Sequence, residues 1–178
     1  GAGADAAPGR HGGATGVCGG EWNARRRCSV FANNTIEAGA GDDLIQADYT
    51  AYPNYYGTAN TFTGGAGNDR IVSGAMADTY VFNRGDGQDS ISDNGSATGW
   101  SGGVFYAAGA DKLVFGAGIA ASDLSASRVG ANLVLKINDP TNPLATDQIT
   151  IENWDNGAYR IEQVQFADGT SLTAANLS

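Results

Sequence analysis

Gly64-Gly65-Ala66-Gly67-Asn68-Asp69-Arg70-Ile71-Val72 is a nine-residue unit with glycine at its first, second and fourth places, aspartate at the sixth and a large apolar residue at the eighth. Outward from it the frame persists. Ser73 to Val81 keeps Gly74, Asp78 and Tyr80 at the second, sixth and eighth places. Upstream, Ala38 to Gln46 keeps Gly39, Gly41, Asp43 and Ile45, and nine residues earlier Asn34, Ile36 and Glu37 hold the frame in a decayed copy. Gly1-Ala2-Gly3-Ala4-Asp5 has the form of the tail of one more loop. Self-similarity at a fixed short period is the mark of a repeat architecture.

The residue types in this unit have a chemical logic. Glycine permits positive φ and close backbone approach, so the carbonyls of such a loop can turn toward a common point. The aspartate adds a charged oxygen. Carbonyls and carboxylates together make a hard, all-oxygen donor set, which suits Ca²⁺ better than zinc or copper. The candidate ligating residues are Gly39, Gly41 and Asp43; Gly64, Gly65, Gly67 and Asp69; Asp78; and Gly85, Gly87 and Asp89 of a further G-x-G-x-D. The last three residues of each unit predict a short strand whose apolar member, Ile45, Ile71 or Tyr80, points into a narrow core.

Two stretches break the register. Residues 6–32, with Pro8, Cys18, Trp22 and the run Arg25, Arg26, Arg27, carry no repeat, and residues 47–63 form an interruption rich in Tyr49, Tyr52, Tyr55 and Tyr56. After residue 82 the pattern becomes that of ordinary strands. Val81-Phe82 and Ser90-Ile91 flank a loop, Lys112 to Phe115 is a strand, and Leu133, Leu135 and Ile137 alternate after the turn Gly130-Ala131-Asn132. Ile149 and Ile151 alternate again, as do Ile161 and, after a break, Val164 and Phe166 before the turn Asp168-Gly169, and Thr173 to Leu177 ends in a helical turn. This region predicts five or six mostly antiparallel strands.

The nonapeptides resemble the RTX, or haemolysin-type calcium-binding, family of Gram-negative bacteria. Ala77 to Asp89 is similar to that family's junction between repeats and a related C-terminal domain; Asp111 to Phe115, Asn153-Trp154 and Arg160 to Thr170 are similar to later landmarks of that domain. The resemblance covers residues 33–178 and implies an all-β fold: a short parallel β-roll of calcium-binding repeats over 33–82, followed by an antiparallel β module over 83–178. Residues 1–32 stand apart as an atypical segment. It further implies a secreted, extracellular protein exported by type I secretion machinery and folding on calcium. In a β-roll one turn uses two nonapeptides, so loops 18 residues apart share an edge. On that count Asp89 stacks on Asp69, and Asp43 beneath Asp69 if the tyrosine-rich stretch loops out. The opposite edge then offers Asn34 and Asp78, with Met76 where glycine belongs, and is expected to bind weakly.

Composition sets bounds on everything else. A net charge of −9 and a pI near 4.3 oppose nucleic-acid binding, which needs clustered cations. No apolar run approaches the length of a membrane span. Cys18 and Cys28 allow one disulfide, and adding His11 gives too few ligands for structural zinc. His11 is the only histidine, so a Ser-His-Asp device is not expected and the chain is read as no enzyme in itself. Arg84-Gly85-Asp86 spells an adhesion tripeptide but falls inside the G-x-G-x-D frame. The alternative function is calcium-dependent binding of a glycan or cell surface, with the tyrosines of 49–56 as the stacking residues.

Overall fold

A computed structural model describes residues 17–18, 25–27, 33–46, 59–74, 76–93, 99–101, 104–106 and 109–177. The expectations for Gly1 to Asp5, His11, Cys28 and the tyrosines of 49–56 lie outside these residues, and Cys18 is described only as backbone.

Strands alternate between two sheets along the chain. The first sheet takes β1 (Val17–Cys18), β3 (Thr35–Ala40), β5 (Thr61–Ala66) and β7 (Thr79–Phe82); the second takes β2 (Arg25–Arg27), β4 (Leu44–Gln46), β6 (Arg70–Val72) and β8 (Gln88–Ser92). Every pairing among these eight is parallel. Each turn of the coil therefore spends one short strand in each sheet. The apolar eighth places come into register: Ile36 on Phe62 on Tyr80 in the first sheet, Ile45 on Ile71 on Ile91 in the second. All six are at most 3% exposed and belong to one core. Burial of each stabilises by roughly 1.5–3 kcal/mol, and Phe62 and Tyr80 stack with centroids 5.6 Å apart.

The coil reaches further in both directions than the repeat frame indicates. Residues 17–18 and 25–27 add an outer strand to each sheet. Residues 59–63, assigned by sequence to the interruption, hold Asn60 and the start of β5. Their Thr61-Phe62-Thr63 has the polar-apolar-polar alternation of a coil strand but no glycine turn before it. Downstream, β11 (Lys112–Phe115) and β15 (Gln163–Gln165) extend the first sheet in parallel, and β14 (Gln148–Ile151) extends the second.

Among the described residues antiparallel pairing enters where the two large sheets end and in one separate hairpin. β12 (Leu124–Val129) and β13 (Asn132–Ile137) fold onto β14, β16 (Ser171–Thr173) folds onto β15, and β9 (Gly99–Ser101) pairs with β10 (Val104–Tyr106) as a separate hairpin. Residues 83–178 are thus a mixture of continued coil and antiparallel closure, because alternation within a four-residue strand does not encode the direction of its neighbour. The all-β architecture stands, and the terminal helical turn is a 3₁₀ turn at Ala174–Leu177.

Stacking of the turns depends on glycine where two backbones meet. Gly65 has φ +98°, and a Cβ there would lie 1.9 Å from the Gly39 carbonyl oxygen; Gly130 also has positive φ, +60°, but nothing within 4 Å. Gly130→Ala is expected to cost only the left-handed backbone penalty, about 1–2 kcal/mol. Gly65→Ala adds a main-chain collision and should lose about 3 kcal/mol or more. Urea denaturation in calcium checks this; equal losses would show that the turns do not need their close approach.

Candidate metal-binding edges

The coil has two edges, one where the chain passes from the first sheet to the second and one where it returns. At the first edge the loops carrying Asp43, Asp69 and Asp89 lie one above another, as the 18-residue count anticipates. The Asp43 N–H donates to Asp69 Oδ1 at 2.8 Å, and the Asp69 N–H donates to Asp89 Oδ1 at 2.9 Å. Each aspartate therefore holds the backbone of the turn before it. The glycine stretches stack alongside, with Gly41 N–H on the Ala66 carbonyl and Gly67 N–H on the Asp86 carbonyl. Asp147 completes this edge by accepting the Gly85 N–H at 2.8 Å.

The second edge repeats the device with a longer series. Asn60 Oδ1 accepts from Asn34 N–H, Asp78 Oδ1 from Asn60 N–H at 2.8 Å, Asp111 Oδ1 from Asp78 N–H at 2.7 Å, and Glu162 Oε2 from Asp111 N–H at 2.7 Å. Of these side chains, sequence reasoning assigned only Asn34 and Asp78 to the edge. Asn60 lies in the tyrosine-rich interruption, and Asp111 stands 33 residues after Asp78 instead of 18. A signal for Asp111 did exist: Gly109-Ala110-Asp111 repeats the G-x-D of Gly67-Asn68-Asp69 and Gly87-Gln88-Asp89.

One oxygen of each carboxylate is thus committed to the backbone, and the other bears on whether a cation fits. Asp69 Oδ2 and Asp78 Oδ2 are buried and accept no hydrogen bond from the described residues. The Gly74 N–H favours the charge on Asp78 without closing a hydrogen bond to Oδ2. A Cβ on Gly64 would stand 2.3 Å from Asp69 Oδ2, so the first glycine of the repeat leaves room for that oxygen. A buried anionic oxygen without a donor costs several kcal/mol by lost hydration. A cation removes that cost. Among the described residues no three His, Cys, Asp or Glu side chains converge on one point, so an ion here draws on main-chain carbonyls as well as carboxylates. That donor set suits Ca²⁺, whose coordination is flexible and all-oxygen. The aspartates and glycines first marked by sequence, Asp43, Asp69, Asp89, Gly39, Gly41, Gly64, Gly65, Gly67, Gly85 and Gly87, fall together on the first edge, and Asp78 falls on the second.

Without a cation these carboxyls keep their protons to higher pH than an exposed aspartate does. Burial, then repulsion from Asp43, Asp42 and Asp86, pushes Asp69 up to about 6. Burial and Asp93 push Asp78 to about 7, and burial with Asp69, Asp86 and Asp147 pushes Asp89 to about 8. Arg84 relieves none of this. Its guanidinium bonds Asp123 at 2.7 Å and the Gly118 and Asn138 carbonyls, so the Arg84-Gly85-Asp86 tripeptide is a structural corner.

Residues 132–176 match the haemolysin-type calcium binding protein related domain. That segment contains Asp147 and Glu162, the last acceptor of each edge. A stretch of 99 residues, 56% of the chain, is 36% identical to the iron-regulated protein FrpA of Neisseria meningitidis serogroup C and covers 8% of that protein's length.

Raised carboxyl pKa values fix the sign of the pH response. Asp69, Asp78 and Asp89 bind protons more tightly folded than unfolded, where 3.8 is usual. In chelator, stability is therefore greatest at acidic pH and falls as pH rises from about 4 to about 8. Saturating calcium should abolish or invert that fall. Urea midpoints across this range test it, and a chelated protein that gains stability toward pH 8 would contradict the assignment.

Proposed function

We propose that this chain, a member of the haemolysin-type calcium-binding (RTX) family by its related domain at 132–176 and its likeness to FrpA, is a β-roll module that binds calcium along its edges and folds upon doing so. The observation that carries this reading is the stack of Asp43, Asp69 and Asp89, whose buried carboxylates sit in line within glycine turns. Asp69 is the residue common to both layers of this stack. Its replacement should therefore weaken calcium binding more than replacement of Asp78.

Calcium-dependent folding suits a protein that passes through type I secretion machinery and meets the ion outside the cell. The uncompensated acidic edges keep the coil open where calcium is scarce, and extracellular concentrations close it. Calcium modules of the extracellular kind bind with Kd of roughly 10⁻⁴–10⁻³ M. At ten times Kd each site adds about 1.4 kcal/mol by mass action. On this reading the module has no catalytic role of its own, since the chain has a single histidine, His11, in the segment without repeats. The activity of a longer protein that carries the module resides elsewhere.

Circular dichroism and thermal melting in calcium and in chelator test the reading. At neutral pH the chelated chain should lose much of its β signal and recover it on calcium addition. Identical spectra and melting temperatures in both conditions would refute it. Incubation with peptides, lipid esters or polysaccharides should give no turnover; turnover abolished by a single-residue change would show that the module is an enzyme.

A further inference from the structure

The two large sheets end differently. The last strand of the first sheet, β16, is three residues long, and the 3₁₀ turn Ala174–Leu177 is tied back to it. The Thr173 N–H and hydroxyl both donate to Asn176 Oδ1, at 2.8 and 2.9 Å, and Leu177 is buried. The last strand of the second sheet, β12, is six residues long, pairs with β13 alone and is exposed from Ser125 to Val129. An open edge of this length is a template for another strand, and proteins ordinarily blunt it with lysine, proline, a bulge or a cover. β12 has none of these. Between Leu124 and Arg128 its side chains are serine and alanine. Its one charge, Arg128, is drawn back onto its own chain by Asp155 at 3.2 Å and by the Trp154 ring at 5.8 Å. Val129, at the end of the strand, is 60% exposed. The backbone of this edge has a definite pattern. The Asn138 N–H donates to the Asp123 carbonyl, and antiparallel pairs alternate between bonded and non-bonded. Ser125, Ser127 and Val129 therefore bond across to β13, while the main-chain groups of Leu124, Ala126 and Arg128 turn to the free edge. The Leu124 N–H is taken by the Ala121 carbonyl. The edge thus offers two donors, on Ala126 and Arg128, and three acceptors.

We infer that β12 is a self-association edge, on which a second copy of this chain pairs antiparallel about a two-fold axis through Ala126. In that register each Ala126 N–H donates to the Ala126 carbonyl of the other copy, and each Arg128 N–H to the other copy's Leu124 carbonyl. All four donors find acceptors. The Leu124 N–H, already taken, falls opposite the Arg128 carbonyl, which is left to water. Ser125 comes opposite Ser127, a cross-strand pair that exchanges hydroxyl hydrogen bonds. A two-fold axis through Ser127 also uses all four donors, but it sets the two Arg128 side chains diagonally at roughly 7–8 Å. The axis through Ala126 keeps them four residues apart along the strand, roughly 13 Å. Charge favours the same occupant. The chain carries a net charge of −9, yet no carboxylate stands on residues 124–129, so two acidic molecules can approach along this edge. A pair of six-residue strands buries less than the roughly 1,200 Å² of a stable interface, so the dimer is transient, with a Kd of roughly 10⁻⁴–10⁻³ M.

Sedimentation velocity of the whole chain in saturating calcium, from about 10 µM to about 1 mM, tests the edge. The unaltered chain should shift from monomer toward dimer across this range. Ala126→Lys sets two ammonium groups opposite each other at the axis and should weaken association at least about tenfold. Its melting temperature should not change, because residue 126 is exposed and its N–H takes no part in the β12–β13 ladder. Ala126→Glu should behave alike, and an equal mixture of the two variants should associate again. Ala126→Pro removes both axial donors at a position where an edge strand accepts proline, and it too should be monomeric. A chain that stays monomeric throughout would overturn the inference and leave the edge to a strand from a different protein. A dimer that persists in Ala126→Lys and Ala126→Pro would also overturn it, placing the contact elsewhere, on acidic faces bridged by calcium among others. A mixture of the lysine and glutamate variants that stays monomeric would refute the two-fold axis at Ala126.

Discussion

A parallel coil places the same position of every turn at the strand spacing, so an aspartate repeated in register must stand on another aspartate. At about 4.8 Å, two full charges repel by roughly 3–4 kcal/mol at an effective dielectric near 20. The rest of the fold is organised around that constraint. Asp69, Asp78, Asp89 and Asp111 each use Oδ1 to hold the preceding turn's N–H, which gives the turn its shape and fixes the acid in a buried place. On the proposed reading the fold builds its own charge problem, which a counterion would solve at neutral pH.

The core beside these ladders is built from columns of apolar side chains. Its first sheet contributes the column Ile36, Phe62, Tyr80, Leu113 and Val164, and its second the column Ile45, Ile71, Ile91 and Ile151, while Phe82, Phe115 and Ile149 add a second buried side chain to β7, β11 and β14. The connecting turns contribute glycine where other folds contribute side chains. The closing segments add more. Phe115 stacks on Phe166 with centroids 5.4 Å apart, and Trp154 is fully buried with Arg128 and Arg160 near its ring. Stability is therefore concentrated where the antiparallel strands cover the coil, and the acidic turns lean on that end through Asp147 and Glu162.

How much of this was legible in the sequence follows from how each residue is specified. Asp43, Asp69 and Asp89 could be stacked by counting, because glycine turns mark their loops and their spacings of 26 and 20 are one 18-residue turn plus eight looped-out residues and plus two. Asn60 could not, since an asparagine in a tyrosine-rich stretch has no glycine signature. Asp111, Asp147 and Glu162 reach the edges across connections of irregular length, and nothing local tells a parallel strand from an antiparallel one. The residues 17–18 and 25–27 were hidden for a related reason: three consecutive arginines carry no apolar alternation, yet their backbone completes the sheet.

The central claim is that the aspartate ladders form with calcium and fail without it, and hydrogen exchange at the ladder amides addresses it most directly. The backbone N–H groups of Asp43, Asp69, Asn60 and Asp78 each donate to the side chain of the next turn. The account predicts strong protection of these four amides in calcium and exchange near the unfolded rate in chelator at neutral pH. Equal protection in both conditions would mean that the ladders stand without the ion, and the account would be wrong.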